Sequence, residues 1–192
     1  TTPFAGGLLN LTGAIQFNRG TLELYDTDKR SGAVEYEKSP NNRGQHELGI
    51  RFNRQGIMFV ADYTGHNVLR IDPKTRVISV HAHHDRMNQP NDLAITRDGT
   101  LYASDPNWKS GTGQLWRIDR DGRTHLEATE MGTTNGIDVS PDGHTLYVNE
   151  SVQRNVWAFD IARNGSLKNK RLLKHFDDFG FDGMRCDVDG NL

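Results

Sequence analysis

The sequence predicts an all-β fold, a β-propeller of four-stranded antiparallel blades. Three observations predict it: one pattern recurs four times, each copy carries a hairpin turn at the same place, and the apolar residues between turns alternate with period two. The copies occupy 48–62, 91–105, 135–150 and 182–192. In each, a small or acidic residue (Gly49, Asp92, Gly136, Gly183) stands seven residues ahead of the turn glycine (Gly56, Gly99, Gly143, Gly190). The copies lie 43, 44 and 47 residues apart, within the roughly 40–50 residues of known propeller blades. Period-two alternation excludes a helical solenoid, and the lack of a Trp-Asp dipeptide excludes the repeat of the adaptor propellers. A β-sandwich with regular turns is the competing architecture, but it does not call for a shared seven-residue register.

Each element follows from this pattern. The run before the turn is the first strand. The turn supplies glycine where a tight hairpin needs φ > 0, with Asp before it in three of four copies, a pairing that favours a tight β-hairpin. The run after it is the second, antiparallel strand. Third strands are expected at 67–72, 114–119 and 155–160, and a turn such as 120–123 then leads to a fourth, for example 76–80. Residues 1–44 fit the repeat poorly; 21–25 and 32–36 read as two strands of a degenerate or partial first blade. Residues 45–192 read as the propeller blades, one domain truncated at its C-terminus.

Composition narrows the function. The chain has 192 residues, 34% hydrophobic and 25% charged, with 23 Lys plus Arg against 25 Asp plus Glu, as expected of a soluble globular domain. Scattered basic residues provide no basic face, so nucleic acid is not an expected partner. No apolar run approaches the roughly 18–20 residues of a membrane helix, so no membrane partner is expected. The single Cys186 excludes an intrachain disulfide and Cys-based zinc sites, and is compatible with cytoplasm or periplasm. Residues 1–11 lack the basic start and long apolar core of a secretory signal, and the chain begins without Met, as a processed or cut chain does.

First strands of propeller blades line the central channel, so equivalent positions at their starts converge. Asn91, Asn135 and Asp182 share such a position and are expected to form a ring of oxygen donors at one channel mouth. Amide and carboxylate oxygens suit a hard divalent cation, and Ca2+ tolerates irregular geometry best; Zn2+, Mn2+ and Mg2+ are the alternatives. Taken singly, each residue reads as a strand-start Asn or Asp bonding nearby backbone.

Other motifs carry less. There is no Gly-x-Ser-x-Gly elbow and no phosphate loop at 109–113, which reads as a long loop between second and third strands. His81 and His83 are expected on the outer face of a fourth strand whose Ile78, Val80 and Ala82 point inward. Asp187 and Asp189 read as turn residues rather than a calcium loop. Asp62, Asp105 and Glu150 read as strand-end caps, with Asp105 a weaker channel candidate. Trp108, Trp116 and Trp157 read as blade packing.

The phrases Gln89-Pro90-Asn91-Asp92-Leu93, Thr134-Asn135-Gly136-Ile137 with Ser140-Pro141-Asp142-Gly143, and Phe181-Asp182-Gly183-Met184 resemble the senescence marker protein, gluconolactonase and luciferin-regenerating enzyme-like family of six-bladed propellers. The resemblance implies a sugar-lactone hydrolase whose divalent ion polarises the lactone carbonyl for attack by water. It implies that Asn135 and Asp182 hold the ion, that Asn91 holds ion or substrate, and that Asp182 orients or deprotonates the water. Asp182 and Asn91 are thus the expected catalytic pair, and the partner a small-molecule lactone. The family's further ligand, a first-blade glutamate in a Glu-Gly-Pro phrase, has no counterpart here. Leu48 stands at the equivalent repeat position, and Glu23, Glu35, Glu37 and Glu47 lie in other contexts. Two readings without catalysis stand beside it: a calcium- or ligand-binding propeller, and a repeat protein binding through its loops. Six blades need about 270 residues at this period, so 192 hold little more than four. A fragment of a lactonase propeller, inactive by itself, is the expectation.

Overall fold

The computed structural model describes the backbone of 13–18 and 21–26 and all of residues 49–192. The chain falls into two units, Thr1–His46 and Glu47–Leu192. In the first, β1 (Gly13–Asn18) and β2 (Thr21–Asp26) form an antiparallel hairpin. The strand expected at 32–36 lies outside the described residues.

The second unit contains three four-stranded antiparallel sheets, each taking its strands in chain order. The first blade is β3 (Ile50–Phe52), β4 (Met58–Asp62), β5 (Asn67–Asp72) and β6 (Val77–His83). The second is β7 (Leu93–Ile95), β8 (Leu101–Asn107), β9 (Thr112–Ile118) and β10 (Thr124–Met131). The third is β11 (Thr134–Val139), β12 (Thr145–Glu150), β13 (Asn155–Ile161) and β14 (Leu167–His175). Among the described residues there is no helix, and so none long and apolar enough to cross a membrane. The fourth copy of the repeat forms its turn, with Asp187 N donating to Asn191 O (2.9 Å), but no strand ladder.

Alternation places the core. In β8, Leu101 and Ala103 pack toward the first blade while Tyr102 packs toward the third; in β9, Trp116 and Ile118 go one way and Leu115 the other. The middle blade is therefore buried on both faces, which is why β8 has scarcely a polar side chain exposed along it. Phe59, Ala61 and Val68 complete the first interface, and Ile137, Leu146, Val148 and Phe159 the second.

The turns place glycine at positive φ, as expected, and close as short hairpin loops. Thr96 N donates to Thr100 O and Gly99 N to Thr96 O, enclosing three loop residues, and of these only Gly99 has positive φ (+94°). That is a type I turn closed by a glycine bulge, not the double positive-φ turn of an Asp-Gly pair. The aspartate acts through its carboxylate: Asp98 accepts from Thr96 Oγ1 and Thr100 N, and Asp142 accepts from Ser140 Oγ (2.5 Å) and His144 N (3.0 Å). The Ser140 hydroxyl and the His144 amide hold the Asp142 carboxyl below its ordinary value of 3.8, as Thr96 and Thr100 do for Asp98. A depressed carboxyl stabilises the fold above its unfolded value and loses that contribution as pH falls through the folded one. Asp142→Ala is therefore expected to make unfolding less acid-sensitive below about pH 4, as read from urea midpoints of the two proteins between pH 6 and pH 3.

Three expectations change. Val68 pairs with Ala82 and Leu69 with Val80, so His81 is an extra bulged residue. The bulge exposes Val80 and turns His81 inward, its ring edge-on to Phe59 at 4.8 Å. Burial pushes the His81 imidazole below its ordinary value, keeping it neutral. Residues 109–113 form no long loop: β8 ends at Asn107 and β9 begins at Thr112. Trp116 is buried as expected, whereas Trp108 is exposed.

Candidate functional site

The three first strands are neighbours, and their starts are joined through the repeat's small position. Gly49 N donates to Asn91 O (2.9 Å), and Gly136 N to Asp182 O (3.2 Å). Ile137 N donates to Asp92 Oδ2 (3.2 Å), linking the second and third blades. Asn91, Asn135 and Asp182 therefore sit at the starts of successive inner segments. The glycines are required by close approach. A Cβ at Gly49 would lie 2.3 Å from Asp92 Oδ1, and one at Gly136 would lie 2.5 Å from Met184 N, 2.6 Å from Asp182 O and 2.7 Å from Asn149 Nδ2. Gly136→Ala is expected to cost about 1–3 kcal/mol, measured by urea unfolding, because two of those three atoms are backbone.

The three side chains differ in surroundings. Asn91 and Asn135 are buried, whereas Asp182 is exposed. Asn135 donates its Nδ2 to Ser151 Oγ (3.0 Å), which fixes the amide and leaves Oδ1 free of that bond. The Asn91 amide and the Asp182 carboxylate make no hydrogen bond or ion pair among the described residues. These are two amide oxygens and one carboxylate without a partner among the described residues, a donor set that fits a hard divalent cation. The set contains a single acidic residue, in keeping with the lack of any cluster of three His, Cys, Asp or Glu suited to a metal among the described residues. The side chains of Glu23, Glu35, Glu37 and Glu47 lie outside the described residues.

Asn149 belongs to the same neighbourhood and was missed in the sequence. Its Nδ2 donates to Asp182 O (2.8 Å), and its buried Oδ1 has no hydrogen-bond partner. A signal existed: the second strands of the other copies carry Ala61 and Ser104 where this one carries the larger amide.

Two of the strand-end carboxylates, Asp105 and Glu150, brace the segments leading into first strands, and Asp62 holds the turn into β5. Asp105, fully buried, accepts from Asn88 N (2.9 Å), Gln114 Nε2 (2.7 Å) and Trp116 Nε1 (2.7 Å), and from Gln89 N. Glu150 accepts from Gly132 N (2.6 Å) and Asn155 Nδ2 (2.8 Å). Asp62 accepts from Gly65 N and Asn67 Nδ2.

Charged residues of the inner segments meet one another as well. Asp92 faces Arg185 at 2.7 Å and Arg51 at 3.6 Å, and Asp138 lies 3.9 Å from Arg51. Burial pulls the Arg51 guanidinium below its ordinary value, opposed by the facing Asp92.

The fold defines a class: an all-β propeller built of four-stranded antiparallel blades. Residues 20–192 match the family described as the SMP-30/Gluconolactonase/LRE-like region, and the chain belongs to that family. It is 29% identical over 188 residues to a gluconolactonase of Zymomonas mobilis subsp. mobilis, a match covering 85% of this chain and 53% of that protein. A gluconolactonase structure from Xanthomonas campestris superposes with a TM-score of 0.66 at 21% identity, covering 93% of this chain and 60% of the other. Regucalcin from Agrobacterium tumefaciens, described as a calcium-binding protein, superposes with a TM-score of 0.62 at 21% identity, covering 73% of this chain and 50% of that one. Both superpositions establish the fold. The chain spans about half the length of the curated relatives it matches.

Proposed function

We propose that this chain carries the ion- and substrate-binding residues of a divalent-metal-dependent sugar-lactone hydrolase, with Ca2+ the leading ion. The observation that carries the reading is the set of oxygens without partners among the described residues at one repeat position, Asn91, Asn135 and Asp182, in a chain of the gluconolactonase family. When bound, a divalent cation held by these residues supplies Lewis-acid polarisation of a lactone carbonyl. The chain's own residues do the rest. Asn135, its amide fixed by Ser151, presents Oδ1 as a ligand oxygen. The exposed Asp182 carboxylate would help to hold the ion and would orient a water or take its proton. Asn91 would hydrogen-bond the substrate or help to hold the ion. Hydrolysis forms the bond from water oxygen to the carbonyl carbon, breaks the ring ester bond and puts a proton on the departing hydroxyl. The acid produced then releases its own proton to solvent.

That released proton is the assay. Gluconolactone hydrolysis by the intact protein, followed by pH-stat with Ca2+ present and after chelation, is expected to depend on the ion. Ca2+ binding without turnover would support instead a non-catalytic calcium-binding propeller, the reading favoured by the absent Glu-Gly-Pro phrase. Neither binding nor turnover would overturn both.

A further inference from the structure

Segment 182–187, which carries Asp182, belongs to no strand ladder. Its inner-side ties among the described residues are few. Asp182 O accepts from Gly136 N (3.2 Å) and Asn149 Nδ2 (2.8 Å), and Cys186 N donates to Asp138 Oδ2 (2.9 Å). The remaining tie is ionic and reaches past the adjacent strand: Arg185 Nη1 lies 2.7 Å from Asp92 Oδ2, and Nη2 lies 3.1 Å from Asp92 Oδ1. A guanidinium meeting both oxygens of a carboxylate fixes direction as well as distance. Asp92 follows Asn91 directly, and Arg185 lies three residues beyond Asp182. The pair therefore joins the segments bearing two of the ring residues.

The Asp92 carboxylate is itself held in place. It is almost fully buried, accepts from Leu93 N (2.8 Å) and Ile137 N (3.2 Å), and faces Arg51 at 3.6 Å. Arg51 in turn donates to Ile137 O (3.2 Å). The four inner segments of the described residues thus converge on one carboxylate, while the Arg185 side chain stays half-exposed, at 51%. A half-exposed arginine contributes little to overall stability through its charge. Its directional hold on an otherwise loosely tied segment is the larger effect.

We propose that Asp92 is a positioning residue, setting the Asp182 segment against the Asn91 strand through the Arg185 guanidinium. This rests on the proposed ion site for its functional consequence, but not for its structural one. Asp92 touches neither ion nor substrate in this scheme; it acts through Arg185 on where Asp182 stands.

The test compares the intact chain with Arg185→Gln and Arg185→Lys by amide hydrogen exchange and by Ca2+ titration calorimetry. Arg185→Gln is expected to reduce protection of the Gly136 and Cys186 amides at least tenfold while leaving the β13 amides unchanged. Arg185→Lys, which keeps the charge without the fork, should recover only part of the loss. Calcium affinity of Arg185→Gln should fall about tenfold or more. Unchanged protection at Gly136 and Cys186 would overturn the proposal, as would equal loss across β13, the mark of general destabilisation. If those two amides lose protection while the unaltered chain binds no Ca2+, the positioning role stands and the ion-site reading fails.

Discussion

Asp105→Ala is expected to destabilise the blade unit by on the order of 4 kcal/mol, the largest loss of any single substitution considered. The carboxylate is fully buried and serves four donors: Asn88 N, Gln89 N, the Gln114 carboxamide and the Trp116 indole. Each buried donor left unpaired costs roughly 1–3 kcal/mol, and water entering the space recovers part of that. Trp116 also belongs to the interface with the first blade, so its loosened indole disturbs packing as well. Asp105→Asn keeps the shape but puts an NH2 against donors in either orientation, and about 2 kcal/mol is expected for it. Against total stabilities of roughly 5–15 kcal/mol, the alanine variant stands near the edge of folding at room temperature. Urea unfolding with an unchanged m-value measures the difference. A loss below about 1 kcal/mol would mean that the four donors find other partners and that Asp105 is not the brace of the 88–91 segment.

How much of this was legible in the sequence depends on what each feature needs to be seen. Blade interfaces were legible because alternation alone sorts Leu101 and Ala103 from Tyr102, and the sheets bury both faces. The small repeat position was legible as a register; its cause, the approach of the next segment within 2.3–2.6 Å of a Cβ at Gly49 or Gly136, requires the neighbouring blade. The His81 bulge was not legible, since an extra residue in β6 appears only when its pairing with β5 is known. The turns were half legible: glycine was placed correctly, but the aspartate before it works through its carboxylate rather than its backbone. The charge network was legible in principle. The register that aligns Asn91, Asn135 and Asp182 also aligns, three residues on, Ala94, Asp138 and Arg185, with Arg51 at the same place in the first copy. Opposite charges at one register in a converging structure are the signal, and they become a network only when Asp92, from the small position, sits among them.

Asp182→Ala is expected to separate function from stability in a way that Asp105→Ala does not. The Asp182 side chain is exposed and has no hydrogen bond or ion pair among the described residues, so its removal leaves no buried donor unpaired. Stability should change by less than about 0.5 kcal/mol, as for other exposed side chains away from packing. The contacts that place the segment are made by the Asp182 backbone oxygen, which alanine retains. Binding is different, because Asp182 supplies the only carboxylate of the proposed ligand set and the two amides carry no net charge. Removing it should lower calcium affinity on the order of 100-fold, equivalent to about 2.8 kcal/mol, and lactone turnover should fall at least as far. Asp182→Asn is the sharper comparison: it keeps an oxygen ligand but neither the charge nor the capacity to take a proton from water. Affinity partly retained with turnover lost would assign Asp182 a proton-accepting role beyond ligation. If affinity and turnover fall together by the same factor, ligation accounts for the whole effect. If Asp182→Ala changes neither while unfolding stays two-state at an unchanged midpoint, the ring is a set of strand-start residues and the ion-dependent reading is wrong.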